Sequence, residues 1–492
     1  MTRAHVTRAH VRSPAAAAAL LALLALPAAR AGAQEKEAPP APGAPRDFVI
    51  PPAREITLPN GMGVTLVQYG TTPKVEVGLV LRMGNVNEKA DQVWLADLTG
   101  DLLQEGTTTH SAEEINRAVA DMGGSLDVGV APDQTTIGGA VLGEFAPRMV
   151  RLVADVVRHP AFPDSELPRL RADRLRSLSV ARSQPQSIAL EKFLAVLYPD
   201  HPYGRLFPTP EMLQGYTVQQ IRDFYAANAG AARAHLYVVG RFDEGAVEQA
   251  VREAFGDWRG ATALAALPAP PAHAAAGDSA GWRMYVIDRP GAVQSSLYIG
   301  LHVPDPSSRD YIALQVMNAL LGGAFSSRIT SNIREAKGYT YSPFSQITTH
   351  YRDAYWAEIA DVTTNVTGPS IKEILGEIER LRHDPPPDSE LTGIQNYLAG
   401  TFVLRNSSRV GIENQLAFVR MHGLGDDWLS TYVKRVYAIT PADVQRMARE
   451  YLDPDRMTIV VVGDRKVVDP QLRELRKREG PGVRGQGPGA RE

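Results

Sequence analysis

The sequence predicts a protein of mixed helices and strands, α+β in class, made of two copies of one α/β unit. Three observations carry this. Residues 217–240 align without a gap on residues 440–463, displaced by 223 at both ends, and each stretch reads as a helix, a short turn, a buried apolar strand and a glycine. The helix over 92–104 and the strands before it come back as strands over 285–301 followed by a helix over 310–321. At 492 residues the chain has room for two domains with a core each, and a period near half the chain is too long for a solenoid.

In chain order, Arg3, Arg8 and Arg12 precede an apolar run over 15–26 and then Ala31-Gly32-Ala33. A basic segment, a short apolar segment and small residues describe a secretory signal peptide cleaved near Ala33, too short to stay in a bilayer as a spanning helix. A periplasmic or secreted protein without a membrane anchor is expected. Residues 34–52 are Pro-rich and read as an extended linker. Strands follow over 55–58, 63–68 and 74–83, the last with Val75, Val77, Leu79 and Leu81 alternating. Helix 92–104 turns Leu95, Leu98, Leu102 and Leu103 inward, and Ser111 with Glu114 forms a capping box for a helix ending at Gly123-Gly124. Strands over 125–130 and 135–141 lead to helices over 144–158 and 165–182. The first domain is expected over 53–258, an Ala/Pro linker over 259–281, the second domain over 282–478, and a disordered Gly/Arg/Pro tail over 479–492.

Composition narrows the function. Hydrophobic content of 44% and charged content of 22% are those of a soluble globular protein. A net charge of −3 without a long basic run argues against a nucleic-acid partner. With no cysteine, disulfides and Cys-linked lipids are excluded.

The most informative stretch is Gly322-Gly323-Ala324-Phe325-Ser326-Ser327-Arg328 and its continuation from Ile333 to Tyr341. Phe325, Ile329 and Ile333 recur as one apolar stripe on a short helix, with Ser326 or Ser327 as its cap and Gly338 at its left-handed end. Arg334 lies beside the stripe on the last turn, Tyr341 follows on an expected strand, and the glycines leave a backbone that another chain can approach. A bare backbone, a forked donor and a phenol together suit the grip on an extended peptide. A Gly-rich turn before a core helix would use the same residues without a site. A phosphate loop does not fit, because no Gly-Lys-Ser/Thr follows the glycines.

Gly-Gly-x-Phe-Ser-Ser-Arg followed by Ile-Arg-Glu-x-x-Gly-x-x-Tyr-Ser resembles the C-terminal half of the pitrilysin/insulinase metallopeptidases, the inverzincins, over nearly the whole mature chain. The resemblance implies two tandem homologous α/β-roll domains, each an antiparallel-rich sheet covered by helices. Active members carry an inverted His-x-x-Glu-His on the first-half helix, two zinc ligands with the catalytic base between them, and a further Glu ligand from a later helix. Here the His positions hold Asp97 and Asp101, the base position holds Gly100, and the third ligand position falls on or next to Ser177. Two exposed carboxylates at i and i+4 make at best a weak site for a hard cation, and Gly100 has no side chain to act as base. No other His pair at this spacing replaces them.

The second-half motif is intact, and by resemblance Arg334 anchors substrate backbone while the Tyr341 hydroxyl helps stabilise the oxyanion, with Gly322, Gly323 and Phe325 against the substrate. A chain with that motif but without zinc ligands resembles the non-catalytic, glycine-loop subunit of mitochondrial processing peptidase and its bacterial periplasmic relatives. The resemblance implies a zinc-bearing homologous partner, extended peptide substrates held at a sheet edge, and no cofactor bound by this chain itself. A structural or peptide-holding protein of the same fold, without hydrolysis, is the alternative.

Overall fold

The computed structural model describes Val49 and residues 51–262 and 283–478. The expected signal peptide, most of the 34–52 linker, the inter-domain stretch from residue 263 and the tail lie outside them. The first half runs β1 (Ala53–Thr57), β2 (Gly63–Gln68), β3 (Lys74–Leu81), α1 (Leu95–Leu103), α2 (Ala112–Asp121), β4 (Asp127–Val130), β5 (Thr135–Leu142), α3 (Ala146–Arg158), α4 (Leu167–Ser183), α5 (Pro185–Leu197), α6 (Pro210–Gly215), α7 (Val218–Asn228), β6 (Ala234–Gly240) and α8 (Glu244–Phe255). The second runs β7 (Arg283–Asp288), β8 (Gln294–Val303), α9 (Tyr311–Asn318), β9 (Phe344–His350), β10 (Asp353–Thr363), α10 (Thr367–His383), α11 (Asp388–Arg405), α12 (Arg409–His422), α13 (Trp428–Tyr437), α14 (Pro441–Tyr451), β11 (Thr458–Gly463) and α15 (Arg465–Arg478).

Local sequence chemistry sets the element ends. Ser111 Oγ accepts from the Glu114 N–H at 3.3 Å and the Glu114 carboxylate accepts from the Ser111 N–H at 2.8 Å. The repeated helices α7 and α14 start on the same device: Thr217 Oγ1 accepts from Gln220 N and Thr440 Oγ1 from Asp443 N. The first sheet has the order β1-β2-β6-β3-β5-β4 and the second β7-β11-β8-β10-β9. Each has one parallel pair, β2 with β6 and β7 with β11, and is otherwise antiparallel. Without β1 the two orders are the same, so the repeat in the sequence is a repeat of topology.

Each sheet buries one face under helices of its own half, around Val77, Leu79, Leu98, Val153 and Leu236 in the first and Leu297, Leu314, Trp356, Ile374 and Val461 in the second. A helix from the opposite half covers the other face. Phe193, Leu194 and Leu197 of α5 pack on Tyr298, Tyr355, Val460 and Val462 of the second sheet. Ile412 and Ala417 of α12 pack on Val67, Val239, Val80 and Tyr237 of the first. Strands β6 and β11 are therefore buried on both faces, which explains their unbroken apolar runs.

One carboxyl is trapped in this contact. Glu413 of α12 lies against the backbone of Gly78, where a Cβ would overlap its oxygens. Burial pushes Glu413 up to about 8, with nearby Glu76 adding to the effect. Below about pH 4.5 the folded and unfolded chains both hold this proton. As the pH rises toward 8 the unfolded chain releases it and the folded chain does not, so stability falls across that window. Glu413→Gln should flatten this slope and raise stability at pH 8 by on the order of 2–4 kcal/mol, read by urea unfolding at pH 5 and pH 8. Equal slopes in variant and parent would show that Glu413 is ionised in the fold.

Candidate functional site

The second-half motif folds differently in detail from the regular helix expected of it. Helix α9 ends at Asn318 and widens into an i→i−5 turn, closed by Ala324 N–H on the Ala319 carbonyl at 3.0 Å. A second wide turn spans Thr330–Ala336, with Lys337 N–H on the Asn332 carbonyl at 3.1 Å. Ser327 caps it, its Oγ accepting from Thr330 N–H at 3.4 Å, and Gly338 closes it at φ +63°. Ile329 and Ile333 are fully buried, but Phe325 precedes the helical turns and is 72% exposed. The expected three-residue stripe is thus a two-residue one. Tyr341 lies in the loop before β9, not on a strand, and is 78% exposed.

The glycines serve this chain's own packing. Gly322 is buried, and a Cβ there would lie 2.5 Å from Ser345 Oγ and 2.6 Å from Glu358 Oε2. A Cβ on Gly323 would lie 2.6 Å from Asn318 Nδ2. The expected bare backbone at Gly322 is therefore filled from behind.

The fold brings Arg334, Phe325 and Tyr341 together. The guanidinium carbon of Arg334 lies 4.4 Å from the Phe325 ring centroid and 5.0 Å from that of Tyr341. Two exposed rings thus clasp one cation, at about 0.5–1 kcal/mol per contact, and Nε meets the Glu335 carboxylate at 3.2 Å. The Tyr341 hydroxyl makes no hydrogen bond among the described residues.

In the first half, α1 carries Asp97 and Asp101 on one face, as i and i+4 require. They are half-buried rather than exposed, and a cation on α4 ties them together. Arg174 donates from Nε to Asp101 Oδ2 at 2.7 Å, from Nη2 to Asp101 Oδ1 at 2.8 Å, and from Nη1 to Asp97 Oδ1 at 3.1 Å. Burial works against the charge on Arg174, but the Asp101 and Asp97 carboxylates outweigh it and hold its pKa above the usual value. Asn85 donates to the other Asp97 oxygen at 2.7 Å. Beside them, burial pushes Glu88 up to about 8 while its carboxyl accepts from Ala96 N–H at 2.8 Å.

Ser177, expected at the third ligand position, is exposed and bonds back to the Asp173 carbonyl at 3.1 Å. Arg174, one turn earlier, faces the two acids instead. The space beside Gly100 is also taken: a Cβ there would lie 2.5 Å from Val130 Cγ2 on β4. A zinc ion does not fit this donor set, because both carboxylates point at a guanidinium and the base position faces an isopropyl group. The sequence did hold one signal for Arg174. Two acids on a half-buried helix face call for a cation, and α4 is rich in arginine.

Comparison with known proteins gives the family and the fold. Residues 64–211 match the insulinase (peptidase family M16) family and residues 215–398 the peptidase M16 inactive domain. The chain belongs to the M16 peptidase family. An uncharacterized zinc protease of Mycobacterium leprae is 28% identical over 292 residues, 59% of this chain and 65% of that protein, so the match takes in just under two thirds of the relative. The peptidase M16 inactive domain from Pseudomonas fluorescens superposes with a TM-score of 0.75 at 22% identity, covering 84% of this chain and 98% of that one. The periplasmic protease PqqL from Escherichia coli gives a TM-score of 0.70 at 15% identity, over 92% of this chain and 51% of its own. These structures carry the M16 fold to this chain and nothing finer.

Restoring the M16 zinc motif should fail on geometry. Asp97→His, Gly100→Glu and Asp101→His together leave Arg174 at the metal position and set the new Glu against Val130. The triple variant should bind no stoichiometric zinc by metal analysis, whereas adding Arg174→Glu, which puts a third ligand where the guanidinium stands, and Val130→Ala should admit it. One zinc per chain in the triple variant alone would show that Arg174 swings aside freely.

Proposed function

We propose that this chain is the non-catalytic subunit of a two-subunit zinc metallopeptidase, exported from the cytoplasm, that completes the active chamber of a zinc-bearing M16 homologue. The observation that carries the reading is the contrast between the two halves. Where M16 enzymes hold zinc, this chain has a closed ion-pair cluster around Arg174. Where they contact substrate, it displays Arg334 between Phe325 and Tyr341 with the phenol free. In this role Arg334 anchors the backbone of an extended peptide, Tyr341 would donate to the oxygen of the attacked carbonyl as it gains charge, and Phe325 holds Arg334 in place.

Zinc belongs to the partner, which supplies the nucleophilic water and the base; this chain supplies binding and charge stabilisation. A peptide-holding protein of the same fold without hydrolysis would not need an exposed Tyr341 hydroxyl. The name of the periplasmic neighbour and the basic-then-apolar N-terminal sequence support export. Co-expression with an M16 homologue carrying His-x-x-Glu-His should give one heterodimer peak in size exclusion, burying on the order of 2,000 Å² or more, and peptide cleavage by the complex alone. Two separate peaks at micromolar concentration, with full activity in the zinc-bearing chain by itself, would overturn the reading.

A further inference from the structure

The second half contains a cavity of about 430 Å³ that the proposed function does not use. It lies between α9, α11, α12, α13 and β9, and reaches the glycine turn at Gly323. By the shared sheet order, β9 and the helix α9 are the second-copy counterparts of β4 and α1.

The wall is a connected set of rings. Phe402 and Tyr432 stack at 4.3 Å, Tyr432 meets Trp428 at 5.4 Å, Trp428 meets Phe418 at 5.6 Å, and Phe418 meets Tyr311 at 6.5 Å. The Tyr432 hydroxyl is pinned to Gln315 Oε1 at 3.1 Å. Rings that brace one another this way keep the space from collapsing. The lining includes no Asp or Glu. Its one charged group is Arg405 at the C-terminal end of α11, exposed and with neither an ion-pair nor a hydrogen-bond partner among the described residues. Gln415 adds an amide. The volume lies in the range of sites that enclose a small organic molecule, and the aromatic wall faces the polar side chains of Asn318, Ser345, Gln346 and Thr401.

We propose that this cavity binds an aromatic carboxylate, its ring or rings against the Phe402–Tyr432–Trp428 wall and its carboxylate on Arg405. The carboxylate comes either from the C-terminus of a peptide or from a free aromatic acid. An aromatic wall with a single unpaired cation and no carboxylate in the lining accepts that combination and disfavours cationic ligands. Binding is read on this chain alone, so the proposal stands or falls apart from any zinc-bearing partner.

Titration calorimetry on the purified full chain tests it with three probes: N-acetyl-Phe-Phe, the same dipeptide as its C-terminal amide, and 3-phenylpropionate. The acid dipeptide should bind about tenfold or more tightly than the amide. Arg405→Gln, a change on an exposed side chain that leaves the fold intact, should bring the acid down to the affinity of the amide. Binding of 3-phenylpropionate as tight as that of the dipeptide assigns the site to free acids; binding of the dipeptide alone assigns it to peptide ends. Equal affinity for acid and amide in the parent, no heat from any probe up to millimolar concentration, or an unchanged preference in Arg405→Gln would each overturn the proposal.

Discussion

Tyr341→Phe in the complex with a zinc-bearing partner is expected to lower kcat by ~10²–10³ with little change in KM. The substitution keeps the ring that clasps Arg334 and removes only the hydroxyl, which makes no hydrogen bond within the described residues. An interaction made mainly with the oxyanion stabilises the transition state more than bound substrate, hence the effect on kcat alone. Arg334→Ala should instead raise KM, since it removes a ground-state anchor on peptide backbone. Its effect on stability is confined to two cation–π contacts and one part-exposed ion pair, on the order of 1–2 kcal/mol. Full kcat in Tyr341→Phe together with unchanged KM in Arg334→Ala would mean that the clasp is structural, and the peptide-holding reading without hydrolysis would replace the subunit reading.

The second large effect falls on stability. Arg174→Ala leaves Asp97 and Asp101 facing each other on one half-buried face with their shared cation gone. Removing one partner of a buried ion pair costs about 3–5 kcal/mol; with these side chains about one-fifth exposed, on the order of 2–3 kcal/mol is expected. Urea unfolding at pH 7 measures it. The triple change Asp97→Asn, Asp101→Asn and Arg174→Met should recover most of the loss, because the penalty comes from the unpaired charges and not from missing contacts. A loss below 0.5 kcal/mol in Arg174→Ala, by the same measurement, would show the cluster to be an ordinary solvated surface network. The outcome bears on the proposed function too, since a strongly coupled cluster holds both acids on Arg174.

Much of this protein was written in the sequence, and the reasons are local. The 223-residue displacement between 217–240 and 440–463 became the shared strand order of two sheets, because a repeated pattern of apolar and capping residues forms the same elements twice. Ser111 with Glu114 and Thr217 with Gln220 cap their helices through contacts three residues apart, which chain order alone supplies. Asp97 and Asp101 share one face of α1, as counting along one helix requires.

The tertiary structure decided what those residues face. Arg174 rather than Ser177 meets the two acids, a difference of one helical turn on α4, set by how α4 leans on α1 across more than seventy residues of chain. Phe325 left its apolar stripe because the backbone widens into i→i−5 turns around Gly322 and Gly323, where Ser345 and Glu358 of distant strands occupy the space of the missing side chains. That rearrangement turns the ring outward to clasp Arg334 with Tyr341. The covering of each sheet by a helix of the opposite half, and the Glu413 carboxyl trapped against Gly78, depend on the docking of two halves whose contacts lie hundreds of residues apart. Periodicity reports which face of a helix is apolar; it carries no information on which surface that face will find, and there the sequence by itself stops.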